Sequence, residues 1–435
     1  MTSKAFMFLD PSTSLACAQS FIAKHFIIVG VALIYLALVR WLRYKRMDRI
    51  ASPFANGKRP LSSMTTQEAF EIMVQLQALE FPYAMKKARS VALLKAGGIP
   101  TMSKLFAVTG QNNIRNAGRR AVDTEILLRE SQTQPRDSER YMDAVARMNY
   151  LHARYRKAGK ILDADLLHTL GDGALEILHI IDKEEWRELS DVEKCAVGIF
   201  HRNLGEDLEI PFTPLKSFKS GWQDGSHFVT ELIEWTKGYE KEVAKPTATG
   251  DQYVRVYVDS ATNKMGKRVT AFIRRVVGSD LDDTMRTSLC IEAPGPFIYA
   301  LLFAIRNTRK ILLRFLMLPR PEFLAYHSVA SVPNAEGLYN FSHGGFQPWY
   351  VRPSLWSTWS PGAALLRMFG ARKPGSKGDR YKPTGYDLKT IGPPPQEGKG
   401  SEEMRAAVEF MKGRGTGECP FSGMKQRKDS DLAKG

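Results

Sequence analysis

One histidine in this chain stands where an imidazole could do chemistry. Between Pro135 and Gly159, the residues Tyr141, Ala144, Val145, Met148, Leu151, His152 and Tyr155 recur at three- and four-residue steps, a stripe that a helix must bury. Asp137 or Ser138 offers the N-cap and Gly159 the C-terminal stop. His152 lies on that stripe, while Arg147, Arg154, Arg156 and Lys157 fall mostly elsewhere. A neutral imidazole on an apolar wall is most often a core residue with its hydrogen bonds met. The same placement also suits the axial ligand of a haem iron, which needs an imidazole projecting from a helix into an apolar slot, with cations close by for the propionates. His152 is then the metal ligand, and Arg147 and Arg156 are candidate cofactor-binding residues.

Other constellations compete weakly. His168 and His179 are eleven residues apart on the next predicted helix, about three turns, too far to share a metal. His201 sits in GIFHRNLG, His327 and His343 read as loop residues, and His25 lies in an apolar run. There is no HExxH and no histidine pair at i,i+4, so a zinc hydrolase is not supported. Asp280, Asp282 and Asp283 resemble one acidic Mg-binding cluster of prenyl-transferring enzymes, although a single cluster reads first as a helix N-terminus. The glycines of Gly413 to Gly417 have no strand before them and make a loop, and no GxSxG, P-loop or kinase signature occurs. Cys17, Cys195, Cys290 and Cys419 form no CxxC pair and no thiolate-haem motif, which argues against a zinc ribbon, a c-type haem attachment and a disulfide scaffold.

The elements that must position these residues begin with an apolar run, FIIVGVALIYLALV, over Phe26 to Val39. With its flanks it predicts a transmembrane helix over 22–42, long enough for the ~30 Å of a hydrocarbon core. RWLRYKRMDR follows at once, whereas only Lys4 and Lys24 precede the apolar centre, so 1–21 is expected on the non-cytosolic side and the bulk of the chain in the cytosol. A cleaved signal peptide would want its basic residues before the apolar run instead.

The 435 residues carry a formal net charge of +16 and are 43% hydrophobic, which excludes a wholly disordered chain. The class is mainly α, with one large helical domain expected over 50–370. QYVRVYV at Gln252 to Val258 alternates like a strand. Phe297 to Leu318, apolar but broken by Arg306, Arg309, Lys310 and Arg314, reads equally as a helix lying in a membrane surface or as a core helix with a solvated face. Residues 371–435 are expected to form a Gly/Pro/Lys-rich extension and tail with a short helix at Glu402 to Lys412. The basic run between Glu80 and Asp123 could face nucleic acid, but no nucleic-acid-binding signature accompanies it, and beside an anchor the nearer anionic partner is membrane lipid.

Taken with the anchor, ARMNYLHARYRKAGKILDADLLHTL (Ala146 to Leu170) resembles the MpaB family of ER-bound oxygenases from fungal mycophenolic acid biosynthesis and, more remotely, the bacterial rubber oxygenases, or latex clearing proteins. The resemblance runs through RYKR, FPYAM, GIPT, EWRELSD, NLGEDLEI, EAPGPF, LPRPEFL and TGECPF in order along the chain. It implies a helical domain holding one haem b through a histidine on a helix, here His152, with Arg147 as a propionate partner. The rubber oxygenases have an Arg-x-x-Lys-Thr motif on the oxygen side, and this chain offers Arg120, Asp123 and Thr124, with aspartate replacing the lysine. Arg120 and Thr124 are thereby implied as oxygen-side residues and Asp123 as a proton relay.

The resemblance further implies a single-pass ER membrane enzyme of secondary metabolism that cleaves a C=C bond in a prenyl or meroterpenoid/polyketide substrate, with O2, membrane lipid and a redox partner as its other partners. A non-catalytic, membrane-anchored lipid-binding or scaffold protein on the same fold is the alternative.

Overall fold

The computed structural model describes residues 11–110, 112–262, 266–342, 347–368, 370–414 and 420–421, with 11–23 and 259–261 as backbone only. The architecture is mainly α. Helix α1 (Pro11–Ala51) carries the apolar run straight into the body. Among the described residues, its Lys24–Gly57 stretch is the one unbent helix long and apolar enough to cross a membrane. Phe26, Ile28 and Ile34 stand exposed, whereas Val39 is fully buried and the helix is docked from there on. The Arg43 guanidinium lies 4.8 Å from the Trp186 ring centroid, and Arg46 pairs with Glu80 at 2.6 Å. Two arginines of the basic flank are thus packing residues, and they fix α1 to the body.

Six further helices build the core: α2 (Thr66–Gln75), α3 (Pro82–Lys95), α4 (Pro100–Val108), α5 (Ile114–Thr133), α6 (Glu139–Lys157) and α7 (Asp163–Glu184). They are joined by α8 (Asp191–Asp207) and α9 (Gly225–Val243). Local chemistry sets the starts: Thr65 with Glu68 and Ser190 with Glu193 form reciprocal capping boxes at α2 and α8, and Pro82 and Pro100 open α3 and α4. α3 packs on α7, while α2 and α9 pack on α8. Between α3 and α4 the GIPT segment turns the chain by 87°. A Cβ on Gly97 at this corner would fall 2.1 Å from the Tyr253 ring, so only glycine lets the two elements meet.

The expected strand at Gln252 to Val258 is instead part of α10 (Ala248–Thr262). Tyr253 with Tyr257 and Val254 with Val258 are i,i+4 pairs, and the helix seats them against α4 and α5. After α11 (Lys267–Gly278), Asp282 caps α12 (Asp283–Ser288) by accepting from the Met285 amide at 3.0 Å. Asp280 is held by Lys87, Lys183 and Arg306. The Mg-binding reading of this cluster is therefore replaced by a helix cap and an ion-pair network.

The basic run is also largely spent inside, since Arg89 and Lys95 are buried and Lys87 pairs with Glu184 and Asp280. α13 (Pro296–Ile311) continues into a wide turn, Leu312–Leu316, and the short helices α14 (Leu355–Trp359) and α15 (Pro361–Met368) follow.

The segment beyond 371 is packed into the helical body. Tyr381, Tyr386, Leu388, Ile391 and Met404 are buried in the body, and α16 (Ser401–Lys412) lies along α6. The segment lacks enough apolar residues for its own core, so it completes the core of the helices before it. The tail KQRKDSDLAKG and His343 lie outside the described residues.

Candidate functional site

α6 forms as its sequence spacing requires. Ser138 is the N-cap, accepting from the Tyr141 amide at 3.2 Å, and Gly159 adopts φ +63 just past the last turn. There the Gly159 amide donates to the Arg156 carbonyl and the Lys160 amide to the Tyr155 carbonyl. The apolar stripe divides in two. Tyr141, Ala144 and Val145 enter the core, whereas Leu151, His152 and Tyr155 are half-buried because they line a cavity.

That cavity has a volume of about 750 Å³, within the range of cofactor and ligand sites, and a mainly apolar wall drawn from α3 to α8. Trp349, Arg380 and Gly392 to Pro395 close it from the C-terminal side. His152, Arg120, Asp123, Thr124 and Arg156, five of the six residues singled out from sequence, meet on this wall. Burial, with the charges of Arg156 and Arg120, lowers the His152 pKa to about 4. The ring is therefore neutral across physiological pH and its lone pair is available. The influence of Arg120 reaches His152 from α5, the helix packed beside α6.

Arg120 stacks its guanidinium 3.8 Å from the Phe106 ring centroid. With Thr124 it also borders a side chamber of about 30 Å³, roomy enough for a water. Arg156 is partly committed, donating to Asp163 and to the Glu209 carbonyl, each at 3.0 Å. Asp123 is 5% exposed and accepts a 2.7 Å hydrogen bond from the Tyr350 hydroxyl, with Arg119 Nε at 3.5 Å. Burial dominates, so its pKa rises to about 7. Tyr350 is itself held at φ +61, an uncommon conformation for a residue with a side chain, next to Trp349, which lines the cavity.

Arg147 stands apart from the other five. It is fully buried and does not line the cavity. Its guanidinium donates to the carbonyls of Ile391 (2.7 Å), Lys399 (2.8 Å), Gln396 (2.8 Å) and Thr390 (3.1 Å). With its donors spent on backbone, it latches the C-terminal segment over the site and is not placed to meet a propionate.

His201 is the residue that sequence reasoning passed over. It is 3% exposed on α8, and its Nδ1 donates to the Val197 carbonyl at 2.7 Å, which leaves Nε2 as an acceptor at the cavity wall. A Cβ added at Gly173 would sit 3.6 Å from that nitrogen, so the facing helix gives it room. Burial lowers its pKa to about 4. An imidazole oriented through one nitrogen and open at the other is the usual arrangement of a metal-binding histidine. The signal was the spacing of Val197, His201 and Leu204, the same stripe argument that singled out His152.

On the other face of α7, His168, Asp172 and Glu240 come close enough together to hold an ion. Lys95 already fills that place: its ammonium lies 2.5 Å from Asp172, 3.0 Å from Glu176 and 2.8 Å from Glu240. His168 bonds Glu240 at 3.0 Å, and the cluster reads as a buried ion network.

No protein-family model matches the chain. Among curated proteins it is 35% identical over 408 residues to "ER-bound oxygenase mpaB'" of Penicillium brevicompactum, covering 91% of this chain and 94% of that protein. It is also 35% identical over 364 residues to "ER-bound oxygenase mpaB" of the same organism, covering 82% and 86%. A third relative, "ER-bound oxygenase mpaB" of Penicillium roqueforti (strain FM164), is 35% identical over 270 residues, covering 60% and 88%. An N-terminal helix long and apolar enough to cross a membrane, a helical body around a large cavity, and identity of this extent along nearly the whole of a relative lead to one assignment: the chain belongs to the MpaB family of ER-bound oxygenases.

Proposed function

We propose that this protein is a haem b oxygenase that cleaves a C=C bond in a lipophilic prenyl or meroterpenoid/polyketide substrate, within a fungal secondary-metabolite pathway. It is held in the ER membrane by a single pass, with its body on the cytosolic side. The observation that carries the reading is the ~750 Å³ apolar cavity into which two neutral imidazoles, His152 and His201, open among guanidinium groups.

The donor set fits a haem. An unprotonated imidazole is the donor a haem iron would take, and Arg156 would supply positive charge for the carboxylates. When bound, the haem would supply the activation of O2. The remaining work falls to the chain. Arg120 and Thr124 present donors to the oxygen side and border the water-sized chamber. Asp123, with a pKa of about 7, can hold or release a proton there at neutral pH, with Tyr350 and Arg119 fixing its orientation. The C-terminal segment latched by Arg147 covers one side of the cavity, and α1 keeps the body beside the bilayer, where apolar substrates concentrate.

The test is the absorption spectrum and metal content of the detergent-solubilised full-length protein. A Soret band with about one iron per chain is expected, and His152→Ala should abolish it. Loss of the band in His201→Ala but not in His152→Ala would move the ligand to α8. A folded, active and iron-free protein would overturn the haem reading altogether.

A further inference from the structure

Helix α13 is amphipathic in the wrong sense for a soluble protein. Its charged residues face inward: Arg306 pairs with Glu184 at 3.0 Å and Asp280 at 2.7 Å, Arg309 with Glu185 at 2.8 Å, and Lys310 donates to the Asp182 carbonyl at 2.9 Å. Apart from Ile298, which is buried, its large apolar residues mostly face outward. Phe297 and Phe303 are 73% and 70% exposed, and Ile305, Ile311, Phe315 and Met317 extend the surface through the turn after the helix. A soluble helix does the reverse, and a contiguous outward apolar surface of this kind marks a membrane or a partner.

The anchor decides between those two. The Tyr35 hydroxyl donates to the Leu316 carbonyl at 2.8 Å, and α1 packs along the 312–316 turn. Tyr35 lies within the apolar run. Trp41, exposed with Lys45 4.7 Å from its ring centroid, begins the interfacial residues on the body's side. Six residues separate the two, about 9 Å along the helix at 1.5 Å per residue. If α1 crosses the bilayer, the 312–316 turn is carried below the headgroups with it, and the docked contacts of Arg43 and Arg46 prevent it from swinging clear. Arg314 on that turn is exposed and long enough to snorkel back to the interface.

We infer that the outward face of α13 and the segment to Leu318 form a second, non-spanning membrane contact that seats the body in the acyl layer of the leaflet it faces. The partner is lipid, because the face is continuous with the anchor and its inward charges are already neutralised by the protein. The inference rests on α1 as the membrane anchor and goes beyond it. The body is then not a domain swinging on a tether but a rigid unit held at one depth.

Full-length protein in phosphatidylcholine vesicles containing a phosphatidylcholine with an acyl-chain diazirine tests this by photolysis and peptide mapping. Lipid adducts are expected on peptides from both α1 and 297–318. In the Phe303→Glu/Phe315→Glu variant the α1 adducts should remain and the 297–318 adducts should be lost; both positions are exposed, so folding is not at stake. Adducts confined to α1, or cross-links joining 297–318 to a second copy of the chain, would overturn the contact and leave the anchor standing. Adducts on neither peptide would overturn both.

Discussion

Replacing Asp123 by Asn should flatten part of the pH dependence of this protein's stability. The carboxyl is 5% exposed, and its pKa rises from 3.8 to about 7 in the folded protein. Between those values the folded state holds a proton that the unfolded chain has released, so stability falls as pH rises. The contribution is fully present below about pH 4 and lost above about pH 7. At about 1.4 kcal/mol per pKa unit, a shift of about three units corresponds to about 4 kcal/mol across the window. Asparagine keeps an oxygen to accept from the Tyr350 hydroxyl but does not titrate. Urea denaturation of solubilised wild type and Asp123→Asn, from about pH 5 to 8, should show the variant's midpoint gaining on wild type as pH rises and levelling off near neutrality. Parallel profiles would mean that Asp123 does not hold a proton in the folded state, and its relay role would fall with that result.

Two further substitutions test the architecture around the cavity. Arg147→Ala deprives four carbonyls of a charged donor whose hydrogen bonds are worth about 1.5–3 kcal/mol each, so residues 380–412 should become sensitive to limited proteolysis under native conditions, and Arg147→Lys should not rescue them. Continued protection with loss of cofactor alone would return Arg147 to the propionate role. Lys95→Met leaves Asp172, Glu176 and Glu240 buried without their cation, at a cost of about 3–5 kcal/mol. Its melting temperature should fall, and fall further at high pH than at low pH, where the carboxylates can protonate; an unchanged melting temperature would refute the network.

The local elements were legible because they depend on neighbours in sequence. The cap at Ser138, the stop at Gly159 and the three-and-four spacing through His152 are properties of one helix, and α6 follows them. The long apolar helix at the start of the described residues was legible for the same reason, since an uncharged run is a one-dimensional signal. The resemblance to the rubber oxygenases brought Arg120, Asp123 and Thr124 to attention, and the fold places them on the wall that His152 lines.

What the sequence left open depends on partners far along the chain. Arg147 and Arg156 carry the same charge on the same helix, yet one meets carbonyls some 250 positions away and the other meets the cavity; only the path of the C-terminal segment separates them. Phe297 to Leu318 balanced a membrane helix against a core helix because a helical period shows which residues share a face and not which way that face points. The acids on α7 and before α12 drew the arginines inward and turned the phenylalanines out. His201 was passed over because its value lies in the Val197 carbonyl that orients it and in the room left by Gly173. Charge, apolar period and capping are written in the order of residues, whereas burial, proton affinity and the direction of a face come from groups that meet only when the chain closes on itself.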